Sequence, residues 1–268
     1  MNDDLGLPIP HSRRLWLYIV AVAVLAFLMA PSLIIVPMSF SDSAFLEFPP
    51  STWSLRWYQV YFESVEWRDA TAVSVKAALL TTLLATPLGT LAAYALNAGR
   101  FRSAGAIQAV LAVPLIVPVI LIGIGAFFLY AWLGINNTIS GLVLAHTVMA
   151  IPLVSITVLS GLRTYDMNQE LVARSLGASR ACAFFAITVP QIRFSIASGA
   201  LFAFNTSFDD AVVSFFISGG ETSTLTRRMF SALRDQIDPT IAAISTCLVV
   251  LSILLIATAQ MFRRTRAP

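Results

Sequence analysis

The chain has 268 residues, of which 57% are hydrophobic and 12% are charged, and its mean hydropathy is +0.80. This composition is far more apolar than that of an ordinary soluble domain and predicts an integral membrane protein. The formal net charge of +3 does not indicate nucleic-acid binding, because the arginines lie in short loops between apolar runs, as orientation signals do.

Six apolar runs are each long enough to cross about 30 Å of hydrocarbon as a helix. The predicted fold class is therefore an all-α integral membrane protein with six transmembrane helices in a single domain, residues 1–268. The first run follows basic residues, as in a signal peptide, but it is too long and lacks a clean cleavage site, so we expect it to be retained. The predicted spans are residues 15–37, 73–96, 104–133, 139–162, 192–217 and 241–262.

Some residues inside or beside these spans admit two interpretations. Lys76 could line a pathway, but its place near the end of a span favours a side chain that reaches the membrane interface. Pro114 and Pro118 are expected to kink the third span, as membrane bundles allow. His146 could relay protons or bind a ligand, and a hydrogen bond inside the bundle is the favoured alternative. Residues 39–69 are rich in the aromatic side chains that mark the lipid headgroup region.

A polar segment, residues 163–193, separates the fourth and fifth spans and has the pattern of two short helices. Asp166 is predicted to cap the first helix as part of a variant capping box, and Gly177 to end it in the left-handed conformation. Ser179 is predicted to cap the second helix, which ends near Pro190. The apolar stripe of this second helix would consist of Ala181, Phe184, Phe185 and Thr188.

One half of the first helix in this segment carries apolar side chains. An amphipathic helix of this kind can dock in a groove of a partner protein, and it can equally lie on the membrane surface as a linker. The local pattern favours neither alternative. The residues on this half are Met167, Leu171, Val172 and Leu176.

The distribution of basic residues predicts the orientation of the chain. With the N-terminus in the cytoplasm, eleven arginines lie inside and five outside, which is a positive-inside bias. Both termini and residues 163–193 are then cytoplasmic, while residues 219–239 form an external loop with a surface helix. The inside set is Arg13, Arg14, Arg100, Arg102, Arg163, Arg174, Arg180, Arg193, Arg263, Arg264 and Arg266, and the outside set is Arg56, Arg68, Arg227, Arg228 and Arg234.

No motif in the sequence supplies catalytic chemistry. A phosphate-binding loop of the G-x-x-x-x-G-K-[ST] type is absent, so the chain cannot hydrolyse ATP alone. Ser207, Asp209 and His146 do not suggest a catalytic triad, because the serine and the histidine lie on separate spans and no oxyanion hole is evident. Asp209 and Asp210 are either hydrated at the outer end of the fifth span or, if that span lines a pathway, a pair of acids that favours a cation.

Several stretches of the chain resemble the membrane permease subunits of type I ATP-binding-cassette importers. The signature of that family is Glu-Ala-Ala, roughly three more residues, a glycine, and a proline about a dozen residues later. We match it to Glu170-Leu171-Val172, Gly177 and Pro190, with Leu171 and Val172 in place of the two alanines. Wider stretches are similar to the spermidine/putrescine class: Leu55-Arg56-Trp57-Tyr58, Leu176-Gly177-Ala178-Ser179, Ser207-Phe208-Asp209-Asp210 and Pro239 to Thr246.

The resemblance implies a six-span permease in the bacterial inner membrane that imports a small cationic metabolite, such as putrescine or spermidine. Its partners would be a second, homologous permease, two copies of a cytoplasmic ATPase, and a periplasmic or lipid-anchored substrate-binding protein. This chain would bind no cofactor, because ATP and Mg²⁺ would be used by the ATPase. Residues 166–177 would form a coupling helix, and ATP-driven closure of the ATPase pair would alternate the permeases between two states as rigid bodies.

The resemblance also assigns two sets of residues. ATPase coupling is assigned to Asp166, Glu170, Leu171, Val172, Ala173, Leu176, Gly177 and Pro190. The substrate pathway is assigned to Ser207, Phe208, Asp209, Asp210, Trp57 and Tyr58.

Alternatives stay open for the substrate and for the class of protein. Many polyamine permeases carry an acid after the proline of the third span, whereas this chain has Pro118-Val119, so an amino acid, an opine or another small solute stays open. The alternatives from other classes are a stand-alone secondary carrier, which would often show a repeated half, and an intramembrane enzyme.

Overall fold

The computed structural model describes residues 15–99, 103–235 and 237–264, and these residues are mostly helical. The α-helices are α1 (Leu15–Met38), α2 (Arg56–Glu63), α3 (Val65–Ala98), α4 (Ala104–Ile116), α5 (Val119–Leu133), α6 (Ile139–Thr164), α7 (Asn168–Ser175), α8 (Arg180–Ala183), α9 (Val189–Gln191), α10 (Arg193–Phe208), α11 (Val212–Ile217), α12 (Leu225–Asp235) and α13 (Thr240–Arg264). A π-helical turn, Phe184–Thr188, joins α8 to α9, and a 3₁₀ turn, Gly220–Thr222, precedes α12. The β structure in the described ranges is one isolated bridge, between Ser41 and Trp53.

The chain divides into two compact units, of which the first comprises residues 1–64 and 232–268. In this unit α13 packs against both α1 and α2. None of the 24 residues of α1, all of them described, is buried, which suits a helix that is apolar on every side. The loop after α1 is held by side chains of α2: the Trp57 indole N–H donates to the carbonyl of Ser43 at 3.1 Å, and the hydroxyls of Tyr58 and Ser39 lie 2.7 Å apart.

The second unit, residues 65–231, is built around the packing of α3, α6 and α10. Small residues allow these helices to approach closely, as is common in membrane bundles. A Cβ atom at Gly89 of α3 would lie 2.7 Å from Val154 of α6, and one at Gly199 of α10 would lie 3.2 Å from the same valine. Val154 therefore packs between two glycines, and three helices meet at its side chain.

The predicted all-α membrane protein is confirmed, although not every predicted span is one straight helix. Three described helices are long and apolar enough to cross a membrane, namely α1, α3 and α6, and two bent pairs raise the number to five. The last helix, α13, is apolar over Thr240–Ile253. α3 begins at Val65, earlier than predicted, because Trp67 and Ala70 in its first turns are buried in the second unit.

The predicted third span is broken into two helices. α4 and α5 meet at an angle of 97°. Val117 between them is extended, with ψ at 132°, as the residue before a proline usually is. Pro118 therefore ends one helix and starts another, where the sequence predicted only a kink.

The predicted fifth span, residues 192–217, agrees with the structure at both ends but is not one continuous helix. α10 starts after a 79° bend from the preceding helical stretch, residues 180–191, and it ends at Phe208. A new helix, α11, begins at Val212 because the Asp210 carboxylate accepts the backbone N–H groups of Val213 and Ser214, at 3.3 and 2.8 Å.

The surface helix predicted within residues 219–239 is present as α12. Part of the predicted orientation signal lies outside the described residues, namely Arg13, Arg14, Arg100, Arg102 and Arg266.

Candidate functional site

The stretch from α7 to α9, residues 168–191, has the two predicted helices, but its first cap differs from the prediction. The N-cap residue of α7 is Met167, which makes no side-chain capping bond, and Asp166 instead accepts the backbone N–H of Asn168 at 3.0 Å. The helix therefore starts one residue later than an Asp166 cap would place it, and the predicted capping box is absent from these described residues.

The predicted end of α7 is confirmed. Gly177 has φ at +97°, and the N–H groups of Ala178 and Gly177 bond to the carbonyls of Ala173 and Arg174, both at 3.1 Å. This bonding pattern is the Schellman motif, which needs a left-handed residue and so favours glycine. The predicted start of the second helix is also confirmed, because Ser179 Oγ accepts the backbone N–H of Cys182 at 3.2 Å.

The apolar half of α7 is divided between the interior and the surface. Met167 packs against the core of the second unit. Leu171, Val172 and Leu176 project outwards, and their exposed fractions are 54%, 60% and 84%. Three adjacent exposed aliphatic side chains on one capped helix form a contiguous apolar surface, which we name the α7 apolar surface, and such patches usually mark contact sites.

Glu170 lies on the opposite, buried face of α7, and only 3% of it is exposed. The Tyr94 hydroxyl donates to one carboxylate oxygen at 2.5 Å, and the Thr188 hydroxyl donates to the other at 2.8 Å. Direct contact between Glu170 and a partner protein is incompatible with this burial. The carboxylate is held inside the protein, by α3 and by the π-helical turn.

The predicted stripe of the second helix is only partly correct. Phe184 and Thr188 are buried, whereas Ala181 and Phe185 are exposed. The π-helical turn Phe184–Thr188 explains the difference, because its wider turn changes the register of side chains relative to a 3.6-residue period.

A second register of the matched signature also fits the sequence. A glycine after three further residues fits Leu171-Val172-Ala173 followed by Gly177, one residue later than the match to Glu170. In this register Leu171 occupies the acidic position of the signature, and it is exposed. Glu170 is then the residue before the signature.

A second polar cluster surrounds His146, whose side chain is completely buried. Its Nδ1 lies 2.7 Å from Ser207 Oγ, while its Nε2 lies 3.3 Å from both Ser214 Oγ and Asp210 Oδ2. The predicted hydrogen-bonded histidine is therefore confirmed. The ring connects α6 to the end of α10 and to the start of α11, and so it braces the break at residues 209–211.

The two neighbouring acids have different environments. The Asp210 side chain is 5% exposed and bonds to His146 and to the start of α11, whereas Asp209 is exposed at the end of α10. Thr226 Oγ1 also donates to the backbone carbonyl of Asp210, at 2.6 Å. Of the predicted pair of acids, Asp209 is therefore the accessible carboxylate.

The structure brings Ser207, His146 and Asp210 together, whereas the sequence suggested Asp209 as the acid beside the serine and the histidine. The histidine lies between the serine and the aspartate, as in the triad of a serine hydrolase. Ser207 is only 2% exposed, so a substrate carbonyl has no access to its hydroxyl. The cluster supports the fold at the break between α10 and α11.

The other pathway candidates are also engaged in local contacts. Phe208 stacks on Phe204, with ring centroids 5.6 Å apart, and Trp57 and Tyr58 use their polar atoms within the first unit. Near the break, the Arg227 guanidinium donates to the carbonyl of Ser218. Burial lowers the pKa of Arg227, and the side chain stays cationic because the ordinary pKa of arginine is far above neutral pH.

The sequence of residues 85–267 matches the family described as the binding-protein-dependent transport system inner membrane component. The chain belongs to this family. It is thus a permease subunit of an ATP-binding-cassette importer, a multi-pass inner-membrane protein and a transport subunit rather than an enzyme.

Two curated relatives and one solved structure are similar to this permease. The spermidine/putrescine transport system permease protein PotC of Haemophilus influenzae is 32% identical over 242 residues, 90% of this chain and 93% of the relative. The putrescine transport system permease protein PotI of Escherichia coli is 32% identical over 245 residues, 89% of this chain and 87% of the relative. A bacterial ABC transporter that imports the acidic polysaccharide alginate has the same fold, with a TM-score of 0.70 at 14% identity over 98% of this chain and 100% of that chain.

Proposed function

We propose that this permease imports a small cationic metabolite of the polyamine class. The proposal is supported by relatives named for spermidine and putrescine, which align along about nine-tenths of the chain. It is also supported by Asp209, an exposed carboxylate at the end of a helix in the second unit. An accessible acid beside an apolar region attracts cations, and carboxylates there usually face a cavity or a partner.

A related small solute is the alternative substrate. The same fold serves an alginate importer, so the fold by itself does not select the sign of the substrate's charge. With Asp210 bonded to His146, one acid of the pair remains to attract a cation. An amino acid or an opine needs less negative charge than a polyamine, which makes the charge dependence of uptake the deciding measurement.

We propose an assembly of this permease with a second, homologous permease, two copies of a cytoplasmic ATPase and an extracytoplasmic binding protein. ATP and Mg²⁺ act at the ATPase. Both termini and residues 168–191 face the cytoplasm. The family description, which names a dependence on a binding protein, supports the last of these partners.

We propose further that α7 docks in a groove of the ATPase. The observation that carries this proposal is the α7 apolar surface, formed by Leu171, Val172 and Leu176. Complete burial of one such side chain contributes about 1.5 to 3 kcal/mol. Helix-in-groove recognition uses apolar residues three or four positions apart, as Val172 and Leu176 are. The Schellman motif at Gly177 fixes the end of the helix and so presents the surface in one orientation.

Docking is tested by replacing Leu176 with aspartate in the full complex. Because the Leu176 side chain is exposed, Leu176→Asp leaves the fold of the permease intact, while the loss of about 2 kcal/mol weakens ATPase binding about thirtyfold. Leu233→Asp on α12 is the matched control, since Leu233 is also an exposed leucine on an amphipathic helix. Equal retention of the ATPase by both variants on affinity purification would contradict the assignment.

The orientation is tested with the natural cysteine of this stretch. Cys182 is a free, exposed thiol, and Cys247 is the other cysteine of the chain. In a Cys247→Ala background, a membrane-impermeant maleimide should label Cys182 only after the cells are permeabilised. Labelling in intact cells would place residues 168–191 on the outside.

The substrate is tested by uptake into proteoliposomes that contain the complete transporter. An exposed charge contributes about 1 kcal/mol to the attraction of one charge in contact, so Asp209→Asn should raise KM roughly fivefold. The increase should be larger for trivalent spermidine than for divalent putrescine. Asp235→Asn, at an exposed acid on α12, should leave KM unchanged. Absence of polyamine uptake by the unmodified complex would refute the substrate class.

A further inference from the structure

The buried carboxylate of Glu170 connects three elements of the second unit. It projects from α7, accepts a hydrogen bond from Tyr94 near the end of α3, and accepts another from Thr188 in the π-helical turn. The contact with Tyr94 joins residues 76 positions apart in the chain. We name Glu170, Tyr94 and Thr188 the carboxylate clamp.

The surroundings of Tyr94 hold its hydroxyl in place for this contact. Its ring packs against Phe184, with centroids 4.6 Å apart, and the Arg180 guanidinium carbon lies 5.9 Å from the ring centroid. Tyr94 and Phe184 both belong to the core formed with α6. The donor is therefore preorganised, and little side-chain freedom is lost when the hydrogen bond forms.

A further side-chain hydrogen bond connects α7 to α9, and it is weaker than those of the clamp. Gln191 donates to Gln169 at 3.5 Å, and this contact is exposed. The two bonds to Glu170 are shorter and buried, and hydrogen bonds to a charged acceptor contribute more than neutral ones. A buried carboxylate that loses such donors is destabilised further, because water cannot replace them.

We propose that Glu170 is a positioning residue that locks α7 to α3, and that Tyr94 and Thr188 are its partners in this role. The inference rests on the proposed docking of α7 to an ATPase. Along the backbone, a displacement of α7 reaches α10 through α8, the π-helical turn and α9. Through the clamp the same displacement reaches α3 directly, so α3 and α10 move together with α7.

Two conservative substitutions remove the donors and keep the side-chain shapes. Tyr94→Phe deletes one hydroxyl and preserves the ring contact with Phe184, while Thr188→Val replaces a hydroxyl with a methyl group. Tyr165→Phe is the matched control: the Tyr165 ring packs against the same core, and its hydroxyl has no hydrogen-bond partner among the described residues.

The clamp itself is measured by amide hydrogen exchange across residues 169–175 in the full purified permease complex. Loss of one hydrogen bond to a charged acceptor shifts an equilibrium about tenfold or more. Tyr94→Phe and Thr188→Val should each speed exchange in α7 by about this factor, and Tyr165→Phe should not. Unchanged exchange in both clamp variants overturns the clamp, whatever happens to transport.

The role in coupling is measured as substrate imported per ATP hydrolysed, in proteoliposomes with the ATPase and the binding protein. Both clamp variants should lower this ratio severalfold, keep KM for the substrate unchanged and retain the ATPase on purification. An unchanged ratio in variants that show faster exchange overturns the positioning role. Failure of the unmodified permease to bind any ATPase refutes the proposed function instead, and the exchange measurement still decides whether the clamp exists.

Discussion

The contact between His146 and Asp210 predicts a large, non-additive effect on stability. Both side chains are buried, and His146 Nε2 lies 3.3 Å from Asp210 Oδ2. His146→Leu puts an apolar side chain of similar size in place of the ring and leaves the carboxylate without its ring partner. Breaking a buried pair on one side costs about 3 to 5 kcal/mol, because an uncompensated charge stays in the interior.

The second variant, Asp210→Asn, removes the charge and keeps one side-chain oxygen, which can accept the N–H of Ser214, while the longer bond from Val213 loses its acceptor. We expect it to cost about 1 to 2 kcal/mol. In the Asp210→Asn background no carboxylate is left without a partner, so His146→Leu should lower the free energy of unfolding by less there. The expected coupling free energy between the two sites is at least about 2 kcal/mol.

The assay is a double-mutant cycle, in which the free energy of unfolding of the purified permease is measured in mixed micelles for all four proteins. The reasoning is refuted if His146→Leu costs the same, within about 0.5 kcal/mol, in both backgrounds. Ser207→Ala serves as the comparison, because it removes a neutral partner of the same ring. It should cost about 1 kcal/mol.

Three further effects follow from packing and charge. Gly89→Ala should destabilise the permease by about 1 to 3 kcal/mol, because the new methyl group meets Val154 at 2.7 Å, and adding Val154→Ala should restore much of the loss on thermal unfolding. Gly177→Ala should cost about 1 kcal/mol through its left-handed φ, and hydrogen exchange should report the loss at the end of α7. Glu66→Gln, by contrast, should change the unfolding free energy by less than about 1 kcal/mol, because its ion pair with Arg228 lies at the surface.

Local sequence signals predicted those features that depend on a few neighbouring residues. The left-handed end of α7 at Gly177 and the capped start at Ser179 need only the backbone within five residues, so glycine and serine were sufficient signals. The apolar runs of α1 and α6 likewise predicted their helices to within two residues.

Contacts between residues distant in the chain were not predictable in this way. Nothing near Glu170 indicates that its partner is Tyr94, and the burial of its carboxylate reverses the role that the signature suggested. The new helix start after Asp210 had a local signal, a carboxylate three and four residues before the amides that it caps. The apolar residues on either side outweighed that signal, because the mean hydropathy of a whole span changes little at a break of three residues.

The side chain of Val154 has a consequence for the evolution of this permease. Because it contacts the positions of two glycines on two other helices, the volumes at positions 89, 154 and 199 are not independent. A larger residue at either glycine position is tolerated only with a smaller one at position 154. Among homologues we therefore expect these three positions to covary in size, with an approximately constant total volume, although they are far apart in the chain.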